Sequence, residues 1–102
     1  MVSEDLSAGD RQGIIDALNK AIMNLYEQAK DCVNDPEFAD LEDMYKGDAS
    51  DHEGILERFI AGDYKSAARQ FQYMDTASRD NVFAFFQSKQ HERAFIYFLE
   101  NS

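Results

Sequence analysis

The sequence predicts an all-α fold: a compact single domain, residues 1–102, of five to six helices, with one long N-terminal amphipathic helix followed by short helical hairpins. Apolar residues recur at steps of three and four along most of the chain, which is the spacing of one helix face. No segment shows the sustained alternation of apolar and polar residues that a half-buried strand needs. Turn signals at Pro36, Gly47 and Gly62 divide the pattern into short pieces, which favours helical hairpins.

The first helix is expected over residues 10–33, after a frayed segment of residues 1–9. Asp10 is the expected N-cap, because its carboxylate can accept a hydrogen bond from the first helical turn. Pro36 disfavours helix at the residue before it, Asp35, so we expect the helix to end near Val33. The apolar stripe consists of Ile14, Ile15, Leu18, Ile22, Leu25, Ala29 and Val33.

Two short helices are expected next. Asp35 and Pro36 fit the N-cap and first helical position of the second helix, which Gly47 ends. Ser50 and Glu53 then have the spacing of a capping box, Ser-x-x-Glu, and open the third. The residues expected to face the core are Phe38, Leu41, Met44 and Tyr45 in the second helix and Ile55, Leu56, Phe59 and Ile60 in the third.

The C-terminal part predicts further short helices. Gly62 ends the third helix and Asp63 caps the fourth. Asp75 or Thr76 caps the fifth, and Ser88 either caps a sixth or marks a kink. The expected inward residues are Tyr64, Ala67, Ala68 and Phe71, then Val82, Phe83 and Phe86, then Phe95, Phe98 and Leu99.

The negative charge is concentrated in the middle of the chain. Residues 31–57 carry ten carboxylates and a single cation, Lys46, so this segment alone has a net charge of −9. The whole chain has a formal net charge of −10, so the remainder is close to neutral. A charged block of this kind creates a directional field that attracts cationic partners. The ten carboxylates are Asp31, Asp35, Glu37, Asp40, Glu42, Asp43, Asp48, Asp51, Glu53 and Glu57.

This acidic block predicts a partner-binding surface. Carboxylates three or four positions apart on a helix lie about 5–6 Å from one another. Phosphates along a DNA strand are spaced on a similar scale, with a rise of about 3.4 Å. A rigid row of carboxylates could therefore occupy a groove built for a nucleic acid backbone and accept the same Arg and Lys donors. The alternative interpretation is a solvated face that only keeps the chain soluble.

Composition argues against several other classes. The negative charge disfavours direct binding to nucleic acid and to anionic membranes. No apolar run approaches the roughly 20 residues that span a bilayer, and residues 1–10 do not resemble a signal peptide. A single cysteine, Cys32, fits a cytoplasmic protein. Together with His52 and His91 it makes no metal-ligand spacing, and no phosphate loop or catalytic serine motif is present, so we expect no enzyme activity, metal or cofactor.

The function predicted from these features is that of a small acidic inhibitor. Its row of carboxylates would bind a basic protein or nucleoprotein complex at the surface that normally holds nucleic acid. In size, charge and compactness the chain resembles the acidic DNA- or RNA-mimic proteins of phages and mobile elements, such as anti-CRISPR and anti-restriction proteins.

The second interpretation is an adaptor or immunity-type protein that binds one specific protein partner. Its anchors would be exposed aromatic residues, Tyr45, Phe85 or Tyr97, while the acidic face steers association and aids solubility. Exposed aromatics would also be a candidate homodimer surface.

Overall fold

A computed structural model describes residues 6–33 and 36–101, with Phe38 described for its backbone only. Within these residues the chain is all-helical, which confirms the predicted fold class. The elements are α1 (Ala8–Cys32), a short 3₁₀ helix (Pro36–Phe38), α2 (Ala39–Ile60), α3 (Tyr64–Tyr73), α4 (Thr76–Phe83) and α5 (Lys89–Glu100). The expected N-cap Asp35 lies outside the described residues.

Helix α1 begins two residues earlier than the sequence predicted. The hydroxyl of Ser7, rather than the carboxylate of Asp10, caps it, because Ser7 Oγ accepts a 3.0 Å hydrogen bond from the backbone N–H of Asp10. Asp10 lies instead in the first turn, where a carboxylate interacts favourably with the helix dipole. The expected frayed segment therefore overlaps α1 from Ala8 onward, and residues 1–5 lie outside the described part of the chain.

The prediction of two helices between Pro36 and Gly62 was wrong. Helix α2 runs without interruption through Gly47, whose backbone does not have the positive φ of a helix-ending glycine. Ser50 is an exposed residue inside this helix and caps nothing. Glycine in a helix interior costs about 1 kcal/mol relative to alanine, and packing of the helix against its neighbours outweighs that cost.

The remaining helix boundaries agree with the sequence. Gly62 has φ +87°, the left-handed conformation that ends a helix. Asp63, Asp75 and Ser88 are the N-caps of α3, α4 and α5, and each side chain accepts a hydrogen bond from a backbone N–H three residues later. Because the predicted second and third helices are one, the described chain has five α-helices.

The hydrophobic core lies at one end of the hairpin formed by α1 and α2. It takes residues from the first half of α1 and the second half of α2, and α3, α4 and α5 close over them. Edge-to-face ring pairs hold it together, with centroids 5.1 Å apart for Phe59 and Tyr64 and 4.9 Å apart for Phe71 and Phe95. The buried cluster is Ile14, Leu18, Ala21, Ile55, Phe59, Ala67, Ala68, Phe71, Val82, Phe95 and Phe98.

The other half of the hairpin extends away from this core. The molecule measures 48 × 24 × 22 Å, so it is twice as long as it is wide. Three residues predicted to face the core are exposed on α2: Leu41 (37 %), Met44 (48 %) and Ile60 (52 %). At its N-terminal end α2 packs mainly on α1, which leaves part of the apolar stripe at Leu41 and Met44 uncovered, and Ile60 is the last residue of the helix.

Two helices have enough residues to cross a bilayer, α1 with 25 and α2 with 22. Both carry charged residues along much of their length. Within the described residues, none of the helices is sufficiently long and apolar to span a membrane.

Candidate functional site

Three carboxylates form a row along the exposed side of α2. Asp40, Asp43 and Asp51 are all exposed, and their positions place them on one side of the helix. We call these three residues the acidic row. At a helical rise of about 1.5 Å per residue, the row extends about 17 Å along the axis. Gly47 lies on the same side between Asp43 and Asp51, so no side chain interrupts the row there.

The acidic row forms no ion pair within the described residues. Within residues 6–33 and 36–101, none of the three carboxylates has a basic side chain within 4.0 Å. Lys46, the single cation of the acidic block, is 2.7 Å from Glu42, one turn before it. Its hydrogen bond to Glu42 raises the pKa of the Lys46 ammonium, which keeps that charge paired. The ammonium also interacts electrostatically with Asp43, more weakly than with Glu42, so the row faces solvent with its charge only partly compensated.

Glu42 and Glu53 lie on the side of α2 nearer to α1 and are half-buried. Tyr26 on α1 donates a 2.6 Å hydrogen bond from its hydroxyl to Glu53 Oε1. This bond raises the pKa of Tyr26, because the neutral phenol is the form that can donate to the carboxylate. These two predicted site residues are therefore turned toward the rest of the fold and are not fully exposed. Sequence periodicity alone could not show that Tyr26 reaches α2.

The remaining exposed carboxylates extend the acidic surface toward both ends of α2. Glu37 is exposed in the 3₁₀ helix, Asp31 is exposed in the last turn of α1, and Glu57 is exposed near the C-terminal end of α2. Asp35 lies outside the described residues. Eight of the nine described carboxylates of the block are therefore carried by α2 and the 3₁₀ helix that precedes it.

A cleft of about 370 Å³ opens between the C-terminal end of α1 and the N-terminal end of α2. The half-buried Tyr45 lines it, so this predicted anchor presents only part of its ring. The lining residues are Gln28, Asp31, Cys32, Leu41 and Tyr45. The lining thus combines the apolar surface of Leu41 and Tyr45 with one carboxylate, that of Asp31.

A second cleft, of about 240 Å³, lies where α4 meets α1 and α2. We call it the seam cleft; it is lined by Leu25, Gln28, Met44, Asp48, Asp75, Ala77, Ser78 and Asn81. Burial and the nearby charge of Asp75 raise the pKa of Asp48. Hydrogen bonds from Ser78 hold the pKa of Asp75 below its ordinary value. The sequence identified Asp75 only as a helix cap, because its approach to Asp48 depends on tertiary packing.

His52 is completely buried on the inner side of α2, whereas the predicted capping box of Ser50 and Glu53 would place it in the turn that opens a third helix. The placement was wrong because it rested on the helix break at Gly47. In the continuous helix His52 falls on the same side as Ile55 and Phe59. Its Nδ1 is 2.6 Å from the carbonyl oxygen of Asp48, which identifies Nδ1 as the protonated nitrogen, and Nε2 has no hydrogen-bond partner.

The other predicted aromatic anchors differ in exposure. Phe85 is partly buried and packs against the core. Tyr97 is 45 % exposed on α5 beside Ile96, which is 39 % exposed. Tyr73, at the end of α3, is 82 % exposed and was not predicted as an anchor. Tyr73 lies two residues after the buried Phe71 and is therefore off the apolar stripe of α3. This spacing could have identified Tyr73 as an exposed aromatic residue.

His91 on α5 lies against Gly13 of α1. A Cβ atom at Gly13 would be 2.3 Å from His91 Nδ1, so only glycine allows the ring this close to α1. Nε2 of His91 is 3.9 Å from Asp10 Oδ1. A cleft of about 470 Å³ adjoins the ring and is lined by Gly9, Gln12, Gly13, Asp16, Phe85, Gln87, Ser88 and His91.

The described residues contain no group of three or more His, Cys, Asp or Glu side chains placed to hold a metal ion. Cys32 is a free cysteine in the last turn of α1. No protein-family model matches the chain, and neither the curated proteins nor the solved structures contain a significant match. The case for a function therefore rests on the geometry of this molecule.

Proposed function

We propose that this chain is a small acidic binding protein that docks the exposed side of α2 on a basic, nucleic-acid-binding surface of a target protein and blocks it. The observation that carries this proposal is the acidic row, because its three carboxylates are exposed and form no ion pair with a cation of the described chain. Lys46, the single cation of the acidic block, is paired with Glu42 and interacts only more weakly with Asp43.

The helix gives these charges a fixed spacing. Asp40 and Asp43 are three positions apart and therefore about 5–6 Å from each other on the helix surface. A partner that holds a phosphate backbone presents Arg and Lys donors at comparable intervals, and carboxylates accept charge-assisted hydrogen bonds from them. Because one continuous helix carries the carboxylates, their backbone spacing is already set before binding, and the conformational entropy lost is mainly that of the side chains.

An adaptor or immunity-type protein that binds through aromatic anchors is the second candidate. It is supported by Ile96 and Tyr97, adjacent exposed residues on α5, a helix that carries none of the acidic row. Binding of this kind would persist at high salt, because it would depend on apolar burial rather than on exposed charges.

Affinity capture from cell lysate, with elution in steps of rising salt, distinguishes the two candidates. The charge-mimic proposal predicts release of a nucleic-acid-binding protein by moderate salt and by added DNA or RNA. The variant D40N/D43N/D51N should retain little of that protein. A charge-matched control, E27Q/D80N/E100Q, removes three exposed carboxylates from other helices and should retain it.

Two results would contradict the proposal. One is capture that is equally strong with the acidic-row variant and with the wild-type chain. The other is a partner that remains bound through high salt, is indifferent to nucleic acid, and is lost when Tyr97 is changed to alanine.

A further inference from the structure

The outer side of α1 carries five residues that lie opposite its buried side. The buried side includes Ala17, Leu18 and Ala21, which pack toward the other helices. On the outer side, Met23 is 63 % exposed, Lys20 is half-buried, and the other three residues are exposed. We call these five residues the charge stripe: Asp16, Lys20, Met23, Glu27 and Lys30.

Opposite charges alternate along the charge stripe on either side of Met23. The order is acidic, basic, Met23, acidic, basic, so the stripe is neutral in a chain whose net charge is −10. Charges at this spacing on a helix commonly pair with each other. Within residues 6–33 and 36–101, however, none of the four has an opposite charge within 4.0 Å, and Asp16 accepts a hydrogen bond from the neutral side chain of Gln12. The four charges are therefore available to a neighbouring molecule.

The order of charges is complementary to itself when the helix is reversed. If a second α1 lies antiparallel with its Met23 opposite Met23, Asp16 is level with Lys30, because each is seven residues from Met23. Lys20 is three residues before Met23 and Glu27 is four after it, so these two differ in level by one residue, about 1.5 Å. All four charges of each copy then face an opposite charge of the other copy.

Other arrangements of the same two helices bring like charges together. A parallel pair places Asp16 opposite Asp16 and Lys30 opposite Lys30. An antiparallel pair displaced by three residues places Asp16 opposite Glu27. Like charges opposed across an interface suppress the arrangement that contains them. A two-fold dimer needs a surface that is complementary to itself, and of these three arrangements only the one centred on Met23 meets that condition.

We propose that the charge stripe docks on the charge stripe of a second copy of this chain, in an antiparallel two-fold dimer centred on Met23. Met23 supplies apolar contact at the axis, and Tyr26, which is 41 % exposed with its hydroxyl held by Glu53, extends that contact toward α2. The methylene stems of Lys20 and Lys30 add apolar surface. Exposed ion pairs each contribute little, so we expect a dimer that dissociates on dilution. The dimer uses none of the acidic row and does not depend on the proposed function.

Sedimentation equilibrium of the whole chain measures this self-association. We expect the mass to rise with concentration toward twice the 11.7 kDa of one chain. K20E/K30E and D16K/E27K each leave the stripe with one sign of charge, so each should weaken dimerisation by at least about tenfold. An equimolar mixture of these two variants should restore the dimer, because stripes of opposite sign then face each other. The control K65E/K89E makes the same change in net charge at exposed lysines of α3 and α5 and should stay within about twofold of the wild type.

Cysteine cross-linking tests the orientation of the two copies. The variants are made in a C32S background, which removes the free thiol. M23C places two thiols at the two-fold axis and should form an intermolecular disulfide under mild oxidation. Gln12 is exposed and lies 11 residues before Met23, so the two thiols of Q12C would be about 33 Å apart and should not cross-link.

Several results would overturn the inference. A chain that stays monomeric throughout the concentration series would show that the charge stripe is only a solvated surface. A dimer that K20E/K30E does not weaken, or that K65E/K89E weakens equally, would place the interface elsewhere. Failure of the mixed variants to associate would reject the pairing of opposite charges. Cross-linking of Q12C as readily as M23C would reject the antiparallel arrangement.

Discussion

Lys46 Nζ lies 2.7 Å from Glu42 Oε1, one helical turn away on α2. This pair uses the single cation of the acidic block for an internal contact, so Lys46 compensates the acidic row only weakly, through Asp43. The pair is more than half exposed at the lysine, and contacts of this kind contribute about 0–1 kcal/mol to stability. The Lys46–Glu42 pair therefore matters mainly for how charge is distributed along α2, rather than for stability.

Replacing Lys46 by glutamine should affect binding more than folding. We expect the free energy of unfolding to change by less than about 1 kcal/mol, because the exposed pair contributes little. The added negative field should increase the association rate with a basic target by about two- to threefold at low salt. Urea denaturation and stopped-flow association measure the two effects. A slower association would show that Lys46 itself contacts the target.

Gly13 is predicted to be essential for the packing of α5 on α1. A methyl group there would overlap the ring of His91, so G13A should destabilise the fold by about 1–3 kcal/mol, the range for overpacked sites. The double variant G13A/H91A should recover much of this loss, because the obstructing ring is gone. Urea denaturation of the two single variants and the double variant measures this coupling. Equal loss in G13A and G13A/H91A would show that the ring is not the cause.

Replacing Gly47 and Gly62 by alanine should change the free energy of unfolding in opposite directions. At Gly47 an added methyl group meets nothing within 4 Å in a helical backbone, so G47A should raise the free energy of unfolding by about 0.5–1 kcal/mol. At Gly62, where φ is +87°, G62A should lower it by about 1 kcal/mol. Thermal and urea unfolding compare the two. A destabilising G47A would mean that α2 is not continuous through this position.

The stability of the fold should depend on the ionisation of Asp48. Its pKa is raised by folding, so the folded state binds this proton more tightly than the unfolded state does. The resulting stabilisation is complete below the ordinary aspartate pKa and is lost as the pH rises through the raised value. D48N should remove this contribution and increase stability at neutral pH.

The ionisation of Asp75 contributes to stability with the opposite pH dependence. Its lowered pKa provides stability above the ordinary value, and that stability is lost as the pH falls through the lowered one. D75N keeps a side chain that can cap α4, so it should remove the charge without removing the cap. Unfolding curves from pH 3 to 7 for the wild type and both variants separate the two contributions. A D48N curve identical to the wild-type curve would contradict the assignment to Asp48.

Local signals in the sequence were sufficient for most of the fold. Signals at helix ends act through the backbone within one turn. The structure places the helix boundaries where the sequence predicts them, at Gly62, Asp63, Asp75 and Ser88. Gly47 was misinterpreted because a glycine can end a helix or be tolerated inside one. Packing against distant residues decides between these outcomes, and sequence spacing does not contain that information.

The sequence predicted which residues make up the candidate site, but it predicted only part of their arrangement in space. The exposed positions of Asp40 and Asp43 followed from helical spacing, whereas the burial of His52 depended on recognising a continuous α2. The approach of Asp75 to Asp48 and the bond from Tyr26 to Glu53 join helices that are distant in sequence. Such contacts are set by how the helices pack, so no local pattern predicts them.

The association rate constant with the isolated target, measured at low and at physiological salt, tests whether the acidic row binds that target. We expect the wild-type rate to fall steeply with salt, and D40N/D43N/D51N to associate about tenfold more slowly at low salt with a weaker salt dependence. The charge-matched control E27Q/D80N/E100Q should stay within about twofold of the wild type, because its changes lie away from α2. Equal rates for the two triple variants would contradict the claim, since the location of the charge on α2 would then not matter.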